Sequence, residues 1–174
     1  EAAKARGQRI WSEPEVAWRI ANAGILAITG TNGKTTTTAL LGAILRDAGF
    51  DARVGGNIAP GTPLTEIADG APADALLVAE ISSFQLEWID GFRPRIGIYT
   101  NLSEDHLNRH GTMQEYGAMK ARLFENQTSA DHAVVNADNA PARAAGEASA
   151  GQLWLFSRVR EVPRGAFLRG TDIV

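Results

Sequence analysis

The sequence predicts an α/β protein, a mostly parallel, doubly wound sheet that carries a phosphate-binding loop (P-loop). Three observations predict it. The stretch Gly30-Thr31-Asn32-Gly33-Lys34-Thr35-Thr36 sits between an apolar run, Gly24 to Thr29, and a helix-like run, Thr37 to Ala48. Ala75 to Ile81 is an apolar run broken only by Glu80, of the kind a sheet covered on both faces requires. Strand-like and helix-like segments alternate along the chain, which is the pattern of βαβ units.

In chain order, residues 1–11 are expected to be the tail of an upstream segment, and the chain opens on Glu1 rather than Met. Ser12-Glu13-Pro14-Glu15 reads as a helix start, with Ser12 as N-cap, Glu15 as capping-box partner and Pro14 in the first turn. Val16, Ile20 and Ala23 give that helix an apolar stripe, and Gly24 ends it. Strand one is expected at 25–29 and the following helix at 34–48, closed by Gly49. A short strand at 52–54 leads into Gly55-Gly56-Asn57-Ile58, and residues 63–69 suit a short helix. Further strands are expected at 75–81, 96–99, 133–135 and 153–156. A helix is expected over 113–127, with Tyr116, Met119, Leu123 and Phe124 on one face. An Ala-rich helix is expected around 140–148. Residues 150–174 carry no motif beyond that last strand. No internal repeat, low-complexity tract or internal linker stands out.

The bulk numbers fit one domain with a real core: 174 residues, 44% of them hydrophobic. The net charge is −3 and no long basic run occurs, which argues against nucleic-acid or membrane surfaces as partners. With no cysteine, disulfides, thiolate metal sites and thiol nucleophiles are excluded. No apolar run reaches membrane-spanning length and no signal-peptide core is visible. A cytoplasmic, monomeric enzyme domain is the expectation.

The loop carries the chemistry. Gly30 and Gly33 let the backbone turn and approach an anion, and the helix N-terminus favours negative charge. Lys34 would place a point charge on the outer phosphates, and Thr35 or Thr36 could hold Mg²⁺. The general pattern G-x-x-x-x-G-K-[ST] wants glycine where this chain has Ile28. A glycine turn that merely joins strand to helix is the bland alternative.

Other polar residues fall at strand ends, where ligands of such sheets bind. Glu80 interrupts the most apolar strand and is costly to bury unpaired. It reads as a Mg²⁺ ligand, with Ser82-Ser83-Phe84-Gln85 adding donors. Asp105 and His106 offer an acid and an imidazole after the strand ending at Tyr99. His106 and His110 have zinc-helix spacing but lack the Glu directly after the first histidine. His110 and His132 read as structural. Lys120 lies inside a helix near the Tyr116 and Phe124 face, and on residue type alone it reads as a solvated lysine.

Taken together, these residues resemble the Mur ligase family of ATP-dependent amide-forming enzymes. Residues 30–36 match its loop, G-T-[NS]-G-K-[ST]-[ST], at every position, which accounts for Ile28. Glu80 to Glu87 (Glu-Ile-Ser-Ser-Phe-Gln-Leu-Glu) and Gly56-Asn57-Ile58 resemble the D-glutamate-adding branch. Asn101 to Arg109 resembles its Asn-x-x-x-Asp-His-x-x-Arg segment, and Tyr116 to Arg122 its Tyr-x-x-x-Lys-x-x segment. Asn136-Ala137-Asp138-Asn139 resembles a strand-end Asn-x-Asp-Asp, with Asn139 in place of the second Asp.

The resemblance implies that residues 12–174 are a central ATP-binding domain, incomplete at its C-terminus. It implies an N-terminal UDP-binding domain and a C-terminal amino-acid-binding domain that are absent, as is the segment that receives adenine, so the fragment alone would be inactive. It implies ATP and two Mg²⁺, with UDP-N-acetylmuramoyl-L-alanine and D-glutamate as substrates joined through an acyl phosphate in peptidoglycan precursor synthesis, within a bacterial cytoplasm. Gly30 to Thr36 would bind ATP. Thr35 and Glu80 would hold one Mg²⁺ and His106 the second. Asn57 and Ser82 would contact substrate or metal. Lys120 would be carbamylated by CO₂ and support the second metal. Lys34, Glu80, His106 and Lys120 are then the catalytic set. The alternatives are another Mur-type or folylpolyglutamate-type ligase, a P-loop NTPase or kinase, and a non-enzymatic binding module.

Overall fold

A computed structural model describes residues 2–58, 61–105 and 107–174. The elements in order are α1 (Ala2–Ala5), α2 (Glu13–Ile20), β1 (Gly24–Thr29), α3 (Lys34–Asp47), β2 (Ala52–Gly56), α4 (Leu64–Ala68), β3 (Leu76–Glu80), α5 (Ser83–Leu86), β4 (Ile96–Tyr99), α6 (Leu107–His110) and α7 (Met113–Ala121). A 3₁₀ turn (Arg122–Phe124) follows, then β5 (His132–Asn136), α8 (Ala140–Glu147), β6 (Gln152–Ser157), β7 (Gly165–Arg169) and β8 (Asp172–Ile173). The strands form one sheet in the order β2-β3-β1-β4-β5-β6-β7-β8. All neighbours are parallel except the β7–β8 pair.

The sheet is doubly wound, as expected, and two consecutive residues of β2 show why. Val54 and Gly55 face opposite sides of the pleat. A Cβ on Gly42 of α3 would strike Val54, and one on Gly55 would strike Ile67 of α4. The two helices therefore cover opposite faces. The main core gathers on the α4 side, with Ala27, Leu77, Ala79, Tyr99 and Val135 beneath Leu64, Leu86 and Leu123. Leu26, Ile28 and Val78 are buried on the α3 side. α3 ends in a Schellman turn: Phe50 N–H donates to Leu45 O and Gly49 N–H to Arg46 O, with Gly49 at φ 88°.

Several expectations change. Ser12 does precede α2, but its side chain makes no cap and its Oγ is buried without a partner. Glu15 is not a capping-box residue. Its carboxylate is fully buried and accepts backbone N–H bonds from Asp90 (2.9 Å), Gly91 (3.0 Å) and Phe92 (2.7 Å), and one from Arg19 Nε (2.7 Å). Burial alone would raise its pKa, but those donors outweigh it and hold the group below its usual value. Using Glu15 this way turns α2, so Pro14 and Ala17 face inward while Val16 and Ile20 are exposed. The helix stops at Ile20, and Gly24 opens β1.

The helix expected to reach Gln127 leaves α geometry at Arg122. There Arg122 donates to the carbonyls of Leu86, Glu87 and Ile89, and Asn126 to those of Asp90 and Phe92, which bends this segment along the 86–92 loop. α5 and α6 were not expected, nor were β7 and β8. Asp138 holds the turn after β6, taking bonds from Ser157 Oγ, Arg158 N–H and Arg160 Nε.

Candidate functional site

The C-terminal ends of β1, β3 and β4 meet because β1 pairs with both of the others, placing Ile28 beside Glu80 and Thr29 beside Tyr99. The loop 30–33 leaves β1 here and enters α3 with Gly33 as N-cap, at φ 80°. Gly30, at φ 151°, lies so close to Thr100 that a Cβ would overlap its Oγ1. Both glycines are thus required by geometry.

The segment after β4 straps the loop down. Thr31 N–H donates to Asn101 O (2.8 Å) and Asn32 N–H to Asn101 Oδ1 (3.0 Å), while Asn101 Nδ2 returns to Asn32 O (3.0 Å). Thr100 Oγ1 donates to Asn32 O, and Ser103 exchanges bonds with Thr31. Asn139 supports the strap from behind: its amide accepts from Leu102 N–H and donates to Leu102 O, both at 3.1 Å, while also capping α8. Asparagine does what the aspartate of the family pattern could not, since a carboxylate has no N–H to donate.

Lys34 folds back to donate to Thr31 O at 2.9 Å. Thr35 Oγ1 donates to Glu80 Oε2 at 2.7 Å. Thr36 is exposed on the first turn of α3, and Thr38 is buried and bonds Lys34 O. Glu80 is 3% exposed and lies on the α3 face of β3.

Lys120, read from residue type as a solvated lysine, is 1% exposed. Its ammonium donates to Gly30 O at 2.8 Å and lies 4.5 Å from the centre of the Tyr116 ring. Burial pushes its pKa down to about 7, helped by the charge of Lys34 and opposed by Asp105 and Glu80. Asn57 is exposed, with its N–H on Glu80 O (2.8 Å). Ser82 caps α5, and its hydroxyl is engaged with Gln85 in a capping box. His106 lies outside the described residues. His110 and His132 are held by structural partners, Ser83 and Trp154 respectively. The structure therefore brings the loop, Lys34, Thr35, Glu80 and Lys120 together. Sequence reasoning named Asn101 without its strapping role and missed Thr100. The available signal was a run of small polar residues directly after a buried strand.

Thr35 and Glu80 offer adjacent hard oxygen donors beside the loop. That set suits Mg²⁺, which takes one or two protein oxygens and completes its shell with phosphate and water. Among the described residues no group of three or more His, Cys, Asp or Glu is assembled to hold a metal. A cleft of about 640 Å³ adjoins the loop, lined by Asn32, Gly33, Thr37, Ile98, Asn101 and Phe156.

A strapped loop at the head of a doubly wound sheet, with a buried lysine against it, defines a class. Residues 28–164 match the Mur ligase middle domain, and the chain belongs to that family. The particular relatives it resembles carry the name UDP-N-acetylmuramoylalanine--D-glutamate ligase. The chain is 46% identical to the one from Geobacter metallireducens over 97% of its own length and 37% of the relative's. It is 47% identical to that of Koribacter versatilis, covering 99% and 38%. It is 49% identical to that of Pelobacter propionicus, covering 97% and 37%. The chain thus spans well under half the length of the curated relatives it matches. A solved UDP-N-acetylmuramoyl-L-alanyl-D-glutamate--2,6-diaminopimelate ligase superposes with a TM-score of 0.67 at 28% identity, over 83% of this chain and 34% of that one. The MurF ligase of Thermotoga maritima in complex with ADP superposes at 0.66 and 17% identity, over 92% and 39%, a likeness of fold alone.

Proposed function

We propose that residues 12–174 are the ATP-binding part of a longer ligase that adds D-glutamate to UDP-N-acetylmuramoyl-L-alanine. The observation that carries this is the convergence of the Thr35–Glu80 pair and buried Lys120 on one P-loop. A kinase or simple NTPase is expected to carry Asp rather than Glu at the end of the buried strand and has no use for the Asn101–Arg109 run. The relatives' shared name supports the substrate pair.

In this reading the substrate carboxylate attacks the γ-phosphorus of ATP, ADP leaves, and an acyl phosphate forms. The amine of D-glutamate then attacks the acyl carbon and phosphate leaves. Lys34 exchanges its bond to Thr31 O for the outer phosphates and offsets their charge during transfer. N–H groups of loop residues 30–36 hold the phosphates in line. Thr35 and Glu80 would hold Mg²⁺, which neutralises phosphate charge when bound. His106 would serve a second Mg²⁺, and Asn57 and Ser82 would border the substrate. The neutral amine of Lys120 attacks CO₂ and loses one proton, giving a carbamate whose carboxylate supports that second site. A pKa near 7 makes the neutral amine available. Flanking UDP-binding and amino-acid-binding domains, a cytoplasmic bacterial setting and a monomeric state complete the proposal.

Calorimetric titration with Mg²⁺ and a non-hydrolysable ATP analogue tests the loop, with Lys34→Ala alongside. Binding that is lost in the variant supports it, and equal binding by both proteins overturns it. Phosphate release by the full-length ligase must depend on both UDP-N-acetylmuramoyl-L-alanine and D-glutamate. Release with another acceptor or amino acid instead would move the reading to a sister ligase.

A further inference from the structure

We propose that His110 is a positioning residue for this reaction: bonded to Ser83 and stacked between Phe84 and Tyr116, it fixes the Glu80–Ser82 strand end relative to Lys120. Its kinetic consequence rests on the ligase reading above, and its structural consequence does not.

Ser83 Oγ and His110 Nε2 share a hydrogen bond of 3.0 Å, and Ser83 is 2% exposed. The imidazole is nearly parallel to Phe84 (centroids 5.4 Å apart, 13°) and to Tyr116 (5.0 Å, 26°). Tyr116 is itself 1% exposed and carries Lys120 Nζ 4.5 Å from its ring centre. One imidazole therefore joins α5, which starts three residues after Glu80, to α7, which carries Lys120. A second tie runs parallel, since Arg109 pairs with Glu87 at 2.7 Å. Both ties leave α6, which directly follows the Asp105 segment. A hydrogen bond to a buried hydroxyl fixes direction, and a stack fixes the plane, so together they leave the imidazole little freedom.

The two interactions separate by substitution. His110→Phe keeps the ring and loses the bond. His110→Gln keeps a polar partner and loses the ring. Ser83→Ala removes the bond from the other side. The first measurement is the side-chain NMR resonance of Lys120 in this chain with labelled lysine, assigned through Lys120→Arg. In His110→Gln it moves toward the position of an exposed lysine, because the Tyr116 ring is released, while the Lys34 resonance stays. The second is kinetics of the full-length ligase. In His110→Phe and His110→Gln kcat falls roughly tenfold with the KM for ATP unchanged, and Ser83→Ala combined with His110→Phe is no worse than either alone. An unmoved Lys120 resonance overturns the proposal, and so does a kcat within about twofold of wild type. Equal displacement of the Lys34 and Lys120 resonances, with a lower melting temperature, also overturns it and leaves His110 a merely structural residue. If the wild-type ligase releases no phosphate with D-glutamate, the ligase reading fails and the Lys120 resonance alone decides the matter.

Discussion

Lys120 and Glu15 are both ionisable groups nearly sealed from water, and they behave oppositely. Lys120 has one carbonyl, one ring face and a pKa pushed down to about 7, so its charged form is costly where it sits. The unfolded lysine stays protonated to about pH 10.4. Between those values the unfolded state binds more protons, so stability rises with pH through that window, and below about pH 7, where both states are protonated, the penalty is complete and constant. Lys120→Met should therefore stabilise the fold by about 2 kcal/mol at pH 6, with a gain that shrinks as pH rises, while abolishing the activity proposed above for the full-length ligase. Urea melts at pH 6 and 8 with a parallel assay check this. Glu15 is the reverse case. Its pKa is held below the ordinary value, so its contribution is complete above that ordinary value and is lost as pH falls through the lowered one. Glu15→Ala leaves three backbone N–H groups without their acceptor and should cost about 3 kcal/mol near pH 7. Glu15→Gln should cost less and flatten the acid limb of the stability curve.

At the scale of elements, what was legible followed from local pattern. The β3 run, the glycine loop and the alternation of strand and helix need only neighbours in sequence to be recognised. What was hidden depended on distant partners. The α2 face was misassigned because Glu15 is satisfied by N–H groups at 90–92, which no nearby residue announces. Lys120 shares helical spacing with Tyr116 and Leu123, yet residue type argued for solvent until Gly30 O was seen to receive it. The β7–β8 pair was unreadable because it depends on Asp138 holding the preceding turn. Helix contact with the sheet is equally specific. Gly42→Ala in α3 gains about 1 kcal/mol of helix propensity but drives a methyl into Val54. Overpacking costs more than that gain, so the variant should be net destabilised by about 1 kcal/mol. Val54→Ala should lose less stability in the Gly42→Ala background than alone, which a double-mutant cycle from denaturant melts will read.

The molecule as a whole has one covered face and one partly bare one. Leu40 (58% exposed) and Ile44 (54%) lie one turn apart on the outer side of α3, and Phe50 (52%) follows. Ile98, Val134, Trp154 and Phe156 of β4, β5 and β6 are only half-buried, at the register positions that alternate with the sealed core. Apolar surface of this extent promotes self-association. Leu40→Glu with Ile44→Lys should lower the concentration-dependent light scattering of the chain and leave its unfolding midpoint nearly unchanged, because neither side chain is buried.

The strand order also has a consequence in time. β1 carries the phosphate loop but lies between β3 and β4, both much later in the chain, while β2 sits at the sheet's edge. A growing polypeptide that has just completed β1 and α3 therefore owns every loop residue and none of the strap. The loop acquires its shape only when Glu80 and Asn101 arrive, which makes it a late product of non-local pairing. Nucleotide capture should consequently lag behind helix formation on refolding, and the gap between the two signals would time the insertion of β3 and β4.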